Sequence, residues 1–477
     1  MASSPMTRAG KPSTLWVTAE RTYQFPSMLG EQYCLLYLEW AFQQLEAEIS
    51  QERLQAMSQL IVEAMTGPSR CFHSLEHCFD VAQTGDAIEV LAALFHDVVY
   101  VQIDGGISAE LGEILAPFIQ TLRGRLVVQE PADNFTDRSF ALTMAIFDVQ
   151  PGQHLALEQN EFLSALVAAN QLQSVLGWPQ IAEVIACIEA TIPFRPPTSV
   201  GLQPSEVLYR KLSLANARFQ LGWSETNLVR AVQRAVRVAN RDVENFSDLQ
   251  AADFLSNTWN LLPEANAYLR NASTYTIQQY RHALEKTTSF MYYLNASLVF
   301  RQFQGEPSSS DYFDLLQRAN KNLVVARLYL NTKLLAIAIL EALSHRLETM
   351  IPLGCLGQVG FSEIANQVIR QQTLLTSDVP YQPRNPVERE VWELLEVGRA
   401  QESGFDIKNS PLAAFFLKHL GMERVVARVD RAKAFFQDKI TAEEFLAECD
   451  VWMIELVQTV LVEAIKAGKD ERNLLGQ

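Results

Sequence analysis

The stretch IEVLAALFHDVVYV (88–101) is apolar almost all the way round, yet it carries a histidine and an aspartate side by side, His96 and Asp97. Leu, Ala and Phe in such a run favour a helix, and the absence of a polar face implies one buried on most of its surface. An ionised Asp left there without a partner is costly. No Lys or Arg lies within ten residues on either side of Asp97. The offsetting charge must therefore come from a distant arginine, from His96 itself as a core ion pair, or from a bound cation.

The flanking sequence favours the cation. Upstream, FHSLEHCFDV (72–81) places His73 and His77 four residues apart, which on a helix puts them one turn apart on one face. An isolated pair of this kind is a weak signal. Downstream, SETNLVRAVQRAVRVANRDVENF (224–246) has apolar residues at 228, 232, 235, 239, 243 and 246, a helical stripe. Asp242 falls on that buried face, while Arg230, Arg234, Arg237 and Arg241 lie off its centre. Of the seven histidines, three fall between positions 73 and 96. His154, His282, His345 and His419 are isolated and suit surface or satisfied core roles. His77, His96, Asp97 and Asp242 are thus the candidate ligands. Two imidazoles with two carboxylates suit one or two divalent ions, with Mn, Fe, Mg and Zn all compatible.

Most of the remaining chain also has helical period, rich in Leu, Ala, Gln and Glu and poor in alternating β-branched runs. The expected class is all-α. Helices are predicted over 29–66, 74–101, 106–126, 137–149, 158–176, 178–192, 205–218, 225–246, 248–260 and 274–302. A long one is predicted over 311–350, capped by Ser310 or a neighbour and ended by Pro352 and Gly354, with three or four more over 387–468. PFRPPTSVGLQP (193–204) reads as a loop. QGEPSSS (304–310) and SDVPYQPRNP (377–386) read as linkers. The expected organisation is a loose N-terminus over 1–27, a metal-site domain over 28–303, and a C-terminal helical region over 308–477.

Composition narrows the function classes. The chain of 477 residues is long enough for more than one core. A net charge of −16 argues against a nucleic-acid surface. An anionic substrate then requires a local metal centre that reverses the field. The six cysteines are scattered without a CxxC pair, as suits reduced buried thiols in a cytoplasmic protein. The most apolar stretch, LLAIAILEAL (334–343), is shorter than a membrane span. The N-terminus has no apolar secretory core.

FHSLEH followed by FHD and a late Asp resembles the HD superfamily of metal-dependent phosphohydrolases. The spelling is similar to the cyclic nucleotide phosphodiesterases and to small bacterial predicted HD phosphohydrolases, over about residues 70–260. The resemblance implies an all-helical HD/PDEase-like bundle, here with an additional C-terminal helical region. It implies His77, His96, Asp97 and Asp242 as metal ligands, with Asp97 bridging to a second ion. It also implies hydrolysis of a phosphate ester, a nucleotide phosphodiester among the candidates, by metal-generated hydroxide, with His73 as general acid. The chain departs from the phosphodiesterase pattern just after the HD pair, where VVYVQIDGG (98–106) supplies no obvious outer ligand. Asp104 and Glu110 are the candidates for a second ion. No purine-selecting glutamine stands in a matching context.

Arg70, near His73, and Arg195, in the Pro-rich loop, are candidate substrate contacts. A small phosphorylated substrate is the expected partner, with neither nucleic acid nor membrane. Two other readings remain: a catalytically weak HD-fold regulatory protein binding a protein partner through 308–477, and a di-iron oxygenase, which would need further His ligands near the motif.

Overall fold

The computed structural model describes residues 27–129, 137–155, 160–270, 275–347, 381–459 and 461–462. The protein is mostly helical, 68% helix and 3% strand. It divides into two units. Unit 1 takes the chain to Glu244 together with Ser297–Asp314, and unit 2 takes Asn245–Ala296 together with the chain from Leu315.

In unit 1, α1 (Ser27–Gln44), α2 (Gln51–Met65), α3 (Leu75–Val81), α4 (Ala87–Phe95), α5 (Val101–Asp104) and α6 (Ala109–Leu115) precede a hairpin of β1 (Ile119–Leu122) and β2 (Arg125–Val128). There follow α7 (Arg138–Phe147), α8 (Asn160–Leu172), α9 (Trp178–Ala190), α10 (Pro204–Phe219) and α11 (Glu225–Asp242). Helix α9 packs on α4, α8 and α11, and α1 packs on α2 and α4. The predicted stripe of α11 faces inward, with Leu228, Val232, Ala235 and Ala239 all buried.

Three expectations about helices need correction. The run 74–101 is broken twice. At Thr84–Gly85–Asp86 the chain turns, and the Asp86 carboxylate caps α4 by accepting from the Ile88 and Glu89 amides at 3.0 and 3.3 Å. At its other end α4 stops at the His-Asp pair itself, because the β-branched residues that follow dock on α8. The Val99 amide donates to Ser164 Oγ at 3.1 Å and the Val101 amide to Asn160 Oδ1 at 3.1 Å. His73 precedes α3, so His73 and His77 are not a helical i,i+4 pair. Finally, the predicted helix 106–126 gives way to the β1–β2 hairpin. Arg123 and Gly124 both take positive φ, 51° and 75°, as a two-residue hairpin turn requires.

The domain boundary also differs from the expected break at 303–308. Residues 245–296 belong with the C-terminal part because their polar side chains are satisfied there. Trp259 Nε1 and Tyr280 Oη both donate to Asp406 Oδ2, at 2.9 and 2.7 Å, and Arg281 Nε donates to Glu341 Oε2 at 2.7 Å. The long helix Ser309–Arg346 begins under a cap from Ser308, whose Oγ accepts from the Asp311 amide at 3.2 Å. By length and composition this helix could cross a membrane, contrary to the reading of its apolar stretch as too short. Of its most apolar window, 83% is buried inside the protein. The expected tail, up to residue 26, and the helix stop at Pro352 and Gly354 lie outside the described residues.

Candidate metal centre

Three elements bring His77, His96, Asp97 and Asp242 together. His77 stands on α3, His96 and Asp97 in the turn that ends α4, and Asp242 at the last residue of α11. His77 Nε2 lies 3.0 Å from Asp242 Oδ1 and 4.0 Å from Asp97 Oδ2. His96 Nε2 lies 3.1 Å from Asp97 Oδ2 and 3.3 Å from Asp242 Oδ1. Ligand atoms of His77, His96 and Asp242 all fall within 4.8 Å of one another.

The framework around these residues is fixed by bonds that the sequence only partly announces. His96 Nδ1 is held 2.8 Å from the Ala93 carbonyl, so Nε2 is the nitrogen turned to the cluster. Glu89 of α4 is fully buried. Arg237 Nε and Arg241 Nη2 of α11 meet its carboxylate at 2.6 and 2.7 Å. Arg241 Nε also donates to the Val81 carbonyl at the end of α3, at 2.9 Å. The arginines that the stripe sets to one side of α11 therefore lock the helix carrying Asp242 to the two elements carrying the histidines.

Arg70 is not placed to hold substrate. Its guanidinium is fully buried and makes a forked pair with Asp104, at 2.9 and 2.7 Å, while Nη1 donates to the Asp97 carbonyl at 2.8 Å. Its role is to brace the His-Asp turn. The same pairing commits Asp104, and Glu110 is exposed, so neither is the outer ligand that the sequence suggested. His73 is half-buried against Tyr100 and Phe72, its ring centroid 6.2 Å from that of His77. Arg195 forms a forked pair with buried Glu189 at 2.8 and 3.0 Å.

Burial alone would lower the pKa of His96, but Asp97 and Asp242 beside it outweigh that and raise it well above the usual imidazole range. Burial would raise both carboxyls, and the histidines reverse this, holding Asp97 below its ordinary value and bringing Asp242 down to about 2. The attraction does not close the cluster. His96 Nε2 and Asp97 Oδ2 are shut off from solvent and neither has a hydrogen-bond partner. At 3.1 Å they are close enough for an ion pair but are not aimed at each other. Two imidazoles and two carboxylates converging in one buried place is a donor set that fits a divalent cation.

Glu161, in the first turn of α8, escaped the sequence reading. Its Oε2 is closed off without a partner. Burial, with Asp97 and Asp242 nearby, pushes its carboxyl up to about 7. It stands in a polar stretch, EQNEF (158–162), in which nothing marks it as inward-facing. No family model matches the chain, and no curated protein or solved structure does either.

Proposed function

We propose that the protein is a divalent-metal-dependent phosphohydrolase of the HD type, acting on a small phosphate ester. The observation that carries this reading is the convergence of two imidazoles and two carboxylates from three separate elements, with His77, His96, Asp97 and Asp242 meeting at 3.0 to 4.0 Å in a nearly closed site. Imidazole with carboxylate is also the donor set that a borderline divalent ion accepts.

When bound, such an ion lowers the pKa of a water and offsets charge on phosphoryl oxygens. The chain's own residues do the rest. His77, His96, Asp97 and Asp242 hold the ion. Arg70, through the Asp97 carbonyl, and Ser164, through the Val99 amide, keep the His-Asp turn in place. His73 stands beside the cluster without belonging to the ligand set and is positioned to give a proton to the departing oxygen. The Phe72 and Tyr100 rings around it limit water at that step.

The test uses chelator-stripped full-length protein with Mn²⁺, and p-nitrophenyl phosphate and bis(p-nitrophenyl) phosphate as probes. Metal-dependent release of p-nitrophenol, reduced about 10³-fold or more in His96→Ala, is the expected result. Absence of turnover with Mn²⁺, Fe²⁺, Mg²⁺ and Zn²⁺ alike, or equal turnover by the variant, rejects the reading. Tight metal binding with no turnover instead points to the regulatory alternative.

A further inference from the structure

The cluster has a neighbour that no bond of the fold accounts for. Glu161 is the second residue of α8, and its Oε2 is shut off from solvent without a partner. Asn160 before it and Ser164 after it hold the Val101 and Val99 amides, at 3.1 Å each. Those amides lie four and two residues past Asp97. The start of α8 is therefore stitched to the His-Asp turn on both sides of Glu161, and the carboxyl between the two stitches takes part in neither.

Two sets of charges surround it. Arg195 and Arg301 feel the Glu161 carboxylate, but their donors are spent elsewhere. Arg195 forks onto Glu189 at 2.8 and 3.0 Å, and Arg301 Nη2 donates to the Ile192 carbonyl. Apart from burial and a backbone bond, the groups that act most on Glu161 are Asp97, Asp242 and His96, all members of the candidate ligand set. The two aspartates and burial win over the histidine and push the carboxyl up to about 7. A third carboxylate beside two others, closed off from water, is unfavourable unless a proton or a cation joins it. The ion that Asp97 and Asp242 would hold is such a cation. His77 and Asp242 keep 12% and 14% of their side-chain surface, so the cluster has an edge open to an ion.

We propose that Glu161 is a fifth protein donor of the metal centre, and that it biases the centre towards oxygen-preferring ions of high coordination number, Mn²⁺ and Fe²⁺, relative to Zn²⁺. Two imidazoles and three carboxylates are more donors than the four that zinc usually takes, and three of the five are oxygen ligands. The inference rests on the metal centre of the phosphohydrolase reading and not on the reaction.

The experiment titrates Mn²⁺ and Zn²⁺ calorimetrically into chelator-stripped full-length protein, wild type and Glu161→Gln. Mn²⁺ affinity should fall about tenfold or more in the variant, and Zn²⁺ affinity by about threefold or less. The denaturant midpoint of the metal-free variant should equal or exceed that of wild type, because a neutral group of the same shape replaces an unpartnered buried acid. A carboxylate that only answers Arg195 and Arg301 gives the reverse, a lower midpoint with unchanged Mn²⁺ affinity, and that result overturns the proposal. Equal losses for the two metals overturn it as well. Should Glu161→Gln fail to fold, Glu161→Asp decides: its carboxylate is drawn back by one carbon, and Mn²⁺ affinity equal to that of wild type overturns the fifth donor. Mn²⁺-dependent ester turnover with unchanged Mn²⁺ affinity in Glu161→Gln removes the fifth donor alone. Mn²⁺ held through Glu161 without turnover of either p-nitrophenyl probe removes the phosphohydrolase reading alone. A wild type that binds neither metal removes both.

Discussion

Asp97 in unit 1 and Asp406 in unit 2 are both buried carboxylates, 9% and 13% exposed, and they are held in opposite ways. Four donors converge on Asp406 Oδ2: Tyr280 Oη at 2.7 Å, Trp259 Nε1 at 2.9 Å, Lys333 Nζ at 3.0 Å and Arg399 Nη1 at 3.4 Å. The two cations are themselves seated on aromatic rings, Lys333 on Trp259 at 5.0 Å and Arg399 on the same ring at 4.2 Å. Asp97 faces imidazoles instead, its Oδ2 lying 3.1 Å from His96 Nε2 and 4.0 Å from His77 Nε2. A buried acid surrounded by fixed cations and ring donors is finished by the fold. One that faces imidazoles at hydrogen-bond and ion-pair distance is the arrangement on which our proposal of a metal site rests. Burial and pKa direction are shared, since both carboxyls sit below their ordinary value. What separates them is whether the donor list is closed.

The widest expected gap between the two is in metal binding. Asp97→Asn should weaken Mn²⁺ at least 100-fold and reduce turnover about 10³-fold, whereas Asp406→Asn should leave Mn²⁺ affinity as it is. Saturating wild type at a hundred times Kd should add about 2.7 kcal/mol to its unfolding free energy, and Asp97→Asn should lose that gain. Titration calorimetry and thermal unfolding with and without Mn²⁺ measure both. Equal Mn²⁺ responses in the two variants would break the contrast.

Stability without metal should rank them the other way. Asp406→Asn leaves Lys333 and Arg399 buried without a carboxylate and should cost about 3–5 kcal/mol in denaturant unfolding. Asp97→Asn removes a carboxylate paired with His96 at 3.1 Å and with no fixed cation, and because the imidazoles can give up their protons it should cost less in the stripped protein. A metal-free Asp97→Asn as damaged as Asp406→Asn would show the His-Asp pair to be a core ion pair after all.

How far each region could be read beforehand follows from the same difference. The unit 1 candidate ligands are legible because their chemistry is written in adjacent letters, His96-Asp97, and in one clear stripe ending at Asp242. The Asp406 cluster draws on Trp259, Tyr280, Lys333 and Arg399, which stand far apart in the chain, and no local pattern links them. The braces were equally hidden. Glu89 looks like one polar residue in an apolar helix, and its partners Arg237 and Arg241 look like a solvated edge. The helix break after Asp97 is hidden because the apolar run continues through it, whereas the one at Thr84–Asp86 is marked by the turn formers of QTGD (83–86). The partners that hold the break after Asp97, Ser164 and Asn160, come from far along the chain. The all-α class survived these errors because it depends on the average of many segments and not on any boundary.

Glu189 offers an intermediate case, a closed carboxylate inside unit 1. Burial would raise its pKa, but Arg195 and Lys211 bring it down to about 2. A depressed carboxyl contributes stability above its unfolded value, near 4.5, and loses it as pH falls towards 2. The shift corresponds to something on the order of 3 kcal/mol. The stability difference between wild type and Glu189→Gln should therefore be full at pH 6 and shrink steadily between pH 4.5 and 2, read by denaturant unfolding at each pH. A difference that does not change over that window would mean that the Arg195–Glu189 fork contributes packing and not charge.

The smallest effect concerns the turn that presents the open cluster. Ser164 Oγ accepts from the buried Val99 amide at 3.1 Å, two residues past Asp97. Ser164→Ala leaves that amide without a partner, which should cost about 1–2 kcal/mol. The site feels the change only through the backbone, so Mn²⁺ affinity should fall by about tenfold, the lower end of what loss of an outer-shell hydrogen bond does to a metal site. The corresponding change in unit 2, Ser403→Ala, removes the acceptor of the Asp406 amide at 3.0 Å and should cost a similar amount of stability with no change in Mn²⁺ affinity. If Ser164→Ala lowers stability but leaves metal affinity intact, the ligand turn is held firmly enough by Arg70 alone, and α8 serves the fold and not the site.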